Sequence, residues 1–528
     1  MATKTSKAKV VDLNTKSFVQ KSILDIKFGT EKDANVVVYF VDKKGLEKEW
    51  LKKDNDYSSQ IKYEKFKATK GQIIYLTYTK GKQIVLVGID KDEEKEKNNN
   101  VKKEDENFNL DFAKAGAKVV SILPKGQKVN VLFSNKYIED KKLKDDKFLV
   151  EAYFGFNQRN YKFDKYITNK EVNEKKTTVE KIILDIKENA ELKKLINRRQ
   201  NQLEGIFYVR TLGNEPSNVI YPDTFATEMQ KMFAGLKNVK VNVLAKKELE
   251  KLGMNMLLGV AQGSVKEPKV VVVEYQGNTK KKGIDLALVG KGVTFDSGGL
   301  CLKPSQYMEG MKCDMLGATT ILSSLLVMAK NGIKVNAVAV AGMVENMPDG
   351  NAQKVGDIVK SMSGKTVEII DTDAEGRLVL GDVLYYTQSK YKPACMIDMA
   401  TLTGAIMVAI GTERAGIFSN NDELAEKIKA SGEKTGDRCW VMPMGEEYAE
   451  AMKSQIADLR NLSSVRYAGS ATAGEFLHNF IDDNKNWAHI DIAGVDVATK
   501  SNAFGSADFV SGFGVKLLND FVENNLEK

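Results

Sequence analysis

From about residue 210 onward the chain carries apolar runs too uniform to leave one face wet: Val270–Tyr275, Ile284–Val289, Val335–Val344 and Cys395–Ala400. Segments with helical spacing lie between them, one over Met308–Lys330 and another from about Glu375, which a shorter β-run, Thr366–Ile370, precedes. Continuous apolar strands separated by helices predict a mostly parallel sheet covered on both faces. Ligands of such sheets bind beyond the carboxyl ends of the strands. That edge is where chemistry is expected.

The first half has a different texture, rich in lysine and asparagine and poor in glycine, yet it also reads as α/β. Val36–Val41, Gln83–Gly88 and Val179–Ile186 are short β-rich runs. Residues 91–107, KDEEKEKNNNVKKEDEN, are almost all charged or amide and predict a solvated loop insertion. From Ala190 to Gly213, the spacing of Leu192, Leu195, Ile196, Leu203, Ile206 and Val209 marks one helix face, broken afterwards by Asn214, Pro216 and Pro222. The expected organisation is an α/β protein of two domains. A smaller N-terminal α/β domain spans 1–188, a connecting helix 189–213, and a larger C-terminal α/β domain with the mostly parallel central sheet 214–528.

Composition removes several classes. With 42% hydrophobic and 28% charged residues among 528, the chain has the make-up of a soluble globular protein. No run approaches the roughly 20 apolar residues that span a bilayer, so no membrane partner is expected, and the opening MATKTSKAKVVDLNTKSF lacks a secretory apolar core. The four cysteines, Cys301, Cys313, Cys395 and Cys439, form no CxxC pair, which argues against both a disulfide framework and a thiolate zinc site. A cytoplasmic location is the expectation. His478 and His489 are the only histidines, so a three-histidine zinc site is impossible; both read as structural. The net charge of +8 comes from 79 basic and 71 acidic residues that are interspersed, with no basic stripe carrying aromatics, which argues against a nucleic-acid partner.

Two clusters carry chemistry. In VGKGVTFDSGGLCLK, Lys291, Asp296 and Lys303 read as part of a glycine-rich loop, and Asp314 follows in MKCDMLGA at the head of an apolar helix. In EIIDTDAEGRL, Asp371, Asp373, Glu375 and Arg377 alternate where a β-run ends. Burying unpaired carboxylates costs several kcal/mol, so packing alone does not explain the trio. One reading is a calcium loop, with Asp371, Asp373, Glu375, Gly376 and Asp382 at EF-hand-like positions. The other is a two-metal site shared with Asp296 and Asp314. Four carboxylates, Asp296, Asp314, Asp373 and Glu375, balance two dications and favour the second. Oxygen donors without histidine suit Zn²⁺, Mn²⁺ or Mg²⁺.

GKGVTFDSGG, MKCDM and DTDAEGR closely resemble the leucine aminopeptidase (cytosol aminopeptidase) family, as do NEPSNVIYP, VENMPDGNAQKVGDIVKSMSGKTVEI, DMATLTGA and WAHIDIAG. The resemblance runs from about Arg210 to the end and makes the C-terminal domain the catalytic one; the family's N-terminal domain is variable. It implies that Lys291, Asp296, Asp314 and Glu375 hold a tight metal, and that Asp296, Asp373 and Glu375 hold a more exchangeable one. A hydroxide activated by the two metals would attack the scissile carbonyl. Lys303 would bind the oxyanion, Arg377 would hold a bicarbonate acting as general base, and Asp314 would take part in binding the substrate's free α-amino group. Met311, Thr401, Gly404 and Ala471 match positions lining the pocket for the first side chain. Asp371 stands where the family usually has asparagine, and Val355 where proline is common.

The resemblance thus implies a leucyl metalloaminopeptidase acting on short peptides, with zinc or manganese, and magnesium also open. It further implies a homohexamer in the cytoplasm. The competing expectation is a hexameric nucleic-acid-binding or scaffold protein with secondary peptidase activity.

Overall fold

The computed structural model describes residues 14–52, 57–79, 82–91, 107–169, 176–483, 485–507 and 509–527. The charged insertion expected at 91–107 lies, but for its two end residues, outside them. The chain divides into two compact units, one mainly Gln20–Glu204 and the other mainly Gly205–Thr499, so the division falls inside helix α1 (Ala190–Asn214).

The smaller unit holds β1 (Asp25–Phe28), β2 (Val36–Val41), β3 (Ile73–Thr79), β4 (Lys82–Gly88), β5 (Lys128–Tyr137) and β6 (Thr178–Leu184). They form one sheet in the order β1-β6-β5-β2-β4-β3, parallel except for the β3–β4 pair. β2 is VVVYFV and is buried along its whole length, as a central strand covered on both faces must be. Val37, Tyr39, Leu86 and Leu132 pack with Leu46, Trp50 and Ile61 in one cluster.

The larger unit is built on eight strands: β7 (Val239–Ala245), β8 (Lys269–Gln276), β9 (Leu286–Asp296), β10 (Asn336–Asn346), β13 (Cys395–Ala400), β14 (Ala415–Ser419), β15 (Cys439–Val441) and β17 (Asn486–Asp491). Their order is β15-β14-β17-β13-β9-β10-β8-β7. The central four, β17-β13-β9-β10, are parallel, while β8 and β7 continue the sheet antiparallel on one side. A separate small sheet joins β11 (Ile358–Lys360), β12 (Thr366–Glu368) and β16 (Leu459–Arg460). Helices α2 (Leu316–Asn331), α3 (Gly376–Tyr391), α4 (Gly404–Ile410) and α5 (Gly469–His478) are the ones that matter for the site.

Three expectations are corrected here. The strand expected to stop at Val289 runs on to Asp296, so Lys291 is a strand residue and Asp296 the strand's last, rather than members of a glycine-rich loop. Gly290 is compatible with a central strand because a Cβ there would meet Ala318 Cα at 2.6 Å; its absence lets α2 lie directly on β9. The single helix expected over Met308–Lys330 is a short turn at Ser305–Met308, a 3₁₀ turn at Met311–Cys313 and then α2, with Asp314 in the break. Finally, the β-run before the second motif ends at Glu368 and belongs to the small sheet, not the large one. The stretch Ser305–Asn331 is long and apolar enough to cross a membrane by composition, but 89% of its most apolar 18-residue window is buried within this fold and serves as core.

Candidate active site

Lys291 is the middle residue of β9, one of the two central strands, and its side chain is 4% exposed. Such a buried ammonium needs partners, and it has three: Asp314 Oδ1 at 2.7 Å, Glu375 Oε1 at 3.0 Å and the Thr401 carbonyl at 2.8 Å. A side chain at position 376 would block this arrangement, since a Cβ on Gly376 would fall 2.5 Å from Lys291 Cε. Thr401, just past the end of β13, also donates its hydroxyl to Asp314 Oδ1 at 2.8 Å. Asp314 therefore does not cap α2; the break in the chain turns it to Lys291 and Thr401.

Asp296 ends β9. Its Oδ1 accepts from Gly298 N at 2.9 Å and Asn346 Nδ2 at 2.8 Å, leaving Oδ2 to Lys303 at 2.8 Å. Lys303 reaches across to Asp373 Oδ1 at 2.5 Å. Ligand oxygens of Asp296, Asp314 and Glu375 all lie within 4.8 Å of one another, and all three residues are buried. The structure thus gathers Lys291, Asp296, Lys303, Asp314, Asp373, Glu375 and Thr401 into one cluster.

Its electrostatics follow from numbers of charges. Four carboxylates face two ammoniums, all of them largely buried except Asp373, whose side chain is 35% exposed. Burial raises the Asp314 carboxyl, with Glu375 and Asp296 adding to it. Burial also lifts Glu375 to about 7, helped by Asp296 and Asp373. Burial opposes the charge on Lys291, but Asp314, Glu375 and Asp296 outweigh it and raise that pKa. Lys303 is raised in the same way, against burial, chiefly by Asp296. The cluster has more negative charge than its own lysines neutralise, the donor set of a cation site.

Arg377, in the first turn of α3, is 6% exposed, and burial pulls its guanidinium down to about 10. Among the described residues, its Nε and Nη1 have no hydrogen-bond partner, and neither does Asp314 Oδ2. The large majority of buried side-chain donors have a partner, so Arg377 is arranged to receive an anion or water.

The calcium-loop reading fails on geometry. Asp382 lies inside α3, fully buried, and accepts from Leu257 N at 3.1 Å and Met362 N at 2.8 Å. Asp371 turns back to accept from Asp373 N at 2.9 Å. Of the pocket positions, Ala471 packs in a buried cluster with Ile406 and Phe418, against which Met442, Met444 and Tyr448 lie. Met311 is on the 3₁₀ turn before Asp314, and Gly404 opens α4 and is exposed. Both histidines are structural: His489 Nδ1 lies 2.6 Å from Asp398 Oδ1, and His478 stacks on Trp487.

Sequence reasoning missed two residues that tie the motifs together. Asn346 bridges Asp296 to the Thr372 carbonyl (3.1 Å), and Thr372 Oγ1 donates to Gly298 O at 2.6 Å while accepting from Cys301 N at 2.8 Å. Both lie inside stretches that carry the family resemblance, so their location was flagged although their role was not.

Comparison with known proteins points to one family. Residues 207–519 match the catalytic domain of the cytosol aminopeptidase family. A probable cytosol aminopeptidase of Rickettsia bellii (strain OSU 85-389) is 40% identical over 96% of this chain and 100% of its own length. One from Rhodopseudomonas palustris (strain TIE-1) is 48% identical over 71% of this chain and 73% of its own. Among solved structures, the bottromycin maturation enzyme BotP in complex with Mn superposes with a TM-score of 0.79 at 26% identity, covering 93% of this chain and 99% of that one.

Proposed function

The chain belongs to the cytosol aminopeptidase family, which makes it an aminopeptidase, and on that footing we propose that it removes N-terminal, mainly apolar residues from short peptides using two divalent metals. The observation that carries this reading is the convergence of Asp296, Asp314 and Glu375 within 4.8 Å, with Lys291 ion-paired to two of them.

Lys291, Asp296, Asp314 and Glu375 would hold the tighter metal, and Asp296, Asp373 and Glu375 the exchangeable one. The structural likeness to an enzyme in complex with Mn supports manganese, while the donor set accommodates zinc and magnesium as well. Bound there, the metals supply Lewis acidity and an activated water. To hold a metal, Lys291 would have to be a neutral amine and would give up the proton it now shares with Asp314 and Glu375. Four carboxylates then offset two dications, and Lys303 is released from Asp296 and Asp373 to hold the oxyanion that develops on the scissile carbonyl. Asp314 Oδ2, unpartnered among the described residues, accepts from the substrate's free α-amino group and so restricts cleavage to the first residue. Arg377 directs its two unpartnered donors at a bicarbonate that takes a proton as general base.

Met311, Thr401, Gly404 and Ala471 would line the first-residue pocket. The apolar cluster around Ala471 supports a Leu-like preference of about 1–3 kcal/mol per methylene. The reading includes a cytoplasmic homohexamer, to be checked by light scattering. The test is hydrolysis of leucine p-nitroanilide and its N-acetylated form by metal-stripped protein, with Mn²⁺, Zn²⁺ or Ca²⁺ restored. The account expects cleavage of the free amine only, with Mn²⁺ or Zn²⁺ but not Ca²⁺. Equal cleavage of the acetylated substrate, or full activity without metal, would sink it.

A further inference from the structure

We infer that Asn461 is a positioning residue for the exchangeable metal site, setting the backbone from which Asp373 projects; this rests on the two-metal reading above. Asn461 follows β16 directly and is fully buried. Its Oδ1 accepts from Ile370 N at 2.7 Å and Asp371 N at 3.2 Å. Its Nδ2 donates to the carbonyls of Asp371 at 2.5 Å and Ala374 at 3.4 Å. A primary amide has two acceptor sites and two donor hydrogens, and here all four are engaged by a single five-residue loop.

The placement explains why an asparagine stands there. Past Glu368 the small sheet ends, and the chain leaves its ladder to form the carboxylate loop, so that loop's main-chain groups lose their strand partners. β16 pairs with β12 in parallel, Glu368 opposite Arg460, and Asn461 N still donates to Glu368 O at 3.0 Å. Four of the next groups along, Ile370 N, Asp371 N, Asp371 O and Ala374 O, are then taken by the Asn461 side chain. Asp373 lies between the two clamped carbonyls, whereas Glu375, which also serves the tighter metal, has a separate anchor in Lys291 at 3.0 Å. Asp371 Oδ1 adds a third restraint, on Asp373 N. Lys291, Asp314 and Asp296 come from other elements, so the clamp acts on Asp373, the ligand that only the exchangeable site uses.

Replacing Asn461 by aspartate keeps the shape and the acceptors but removes both donors, and it sets a carboxylate against two carbonyls. Residues that orient ligands typically affect metal affinity or activity by 10- to 100-fold. Asp373 serves only the exchangeable metal, so that site should bear the loss.

The test is equilibrium dialysis of stripped full-length chain against Mn²⁺, wild type beside Asn461→Asp and Asn461→Ala, with near-ultraviolet circular dichroism to verify folding. Asn461→Ala leaves room for water to satisfy the loop and carries the comparison should the aspartate variant not fold. The inference expects the first equivalent to bind within about threefold of wild type and the second 10- to 100-fold more weakly, with hydrolysis recovering at high Mn²⁺. Wild-type affinity at both sites in the folded variants overturns the role of Asn461 alone. Equal weakening of both sites also overturns it, since that is a general structural effect. Fewer than two equivalents in the wild type overturns the two-metal reading and this inference with it.

Discussion

Replacing Lys303 with methionine separates what this lysine does for the fold from what it does for the reaction. Its Nζ lies 2.8 Å from Asp296 and 2.5 Å from Asp373, with the side chain 15% exposed. A hydrogen bond to a charged group contributes about 1.5–3 kcal/mol. In metal-free protein, Lys303→Met leaves two carboxylates facing each other without that ammonium, so thermal stability should drop measurably. With metals bound the dications take over the carboxylates, and melting should return to the wild-type value. Turnover should not return. Removal of one oxyanion donor costs about 100- to 1000-fold in kcat, or about 2.7–4 kcal/mol, while KM for leucine p-nitroanilide should stay within about threefold. The assay is steady-state kinetics at saturating Mn²⁺ on protein shown to carry full metal. A variant with kcat within about tenfold of wild type at full occupancy would refute the assignment of Lys303 to the oxyanion.

Three other outcomes follow from the same geometry. Arg377→Met should lower kcat by about 100-fold or more, the size of a general-base contribution, and should abolish any stimulation by added bicarbonate; a variant still stimulated by bicarbonate contradicts the anion site. Metal affinity should fall as pH drops through about 7: burial and then Asp296 raise Glu375 to about 7, Lys291 also holds its proton in the metal-free cluster, and both protons must leave for metal to bind. A Mn²⁺ affinity flat from pH 6 to 8 would refute this. Asp371→Asn should change activity by less than about threefold, because Asp371 faces the loop backbone and either side chain can accept from Asp373 N; a large change in metal preference would place Asp371 inside the site.

Much of this was legible in the sequence because the strongest signals are local. Uniformly apolar runs such as VVVV in β8 and AVAVAG in β10 read as strands covered on both faces, and a carboxylate trio without packing purpose points to a cation. Local signals failed where tertiary contacts decide. Glycines at 290 and 292 suggest a loop, but here they let α2 and the neighbouring strands approach β9, which keeps Lys291 in the sheet. The helical pattern across Met308–Lys330 does not reveal the break that presents Asp314 to Lys291. Asn461 carried no signal at all, since its four partners lie about 90 residues earlier in the chain.

The central claim is that two metals in this carboxylate cluster make the chain an aminopeptidase. Its most direct test adds Mn²⁺ stepwise to stripped protein and follows leucine p-nitroanilide hydrolysis against metal bound per chain. The account predicts little turnover at one equivalent and full turnover only as the second binds. Full activity at one equivalent, or activity unrelated to occupancy, would contradict it.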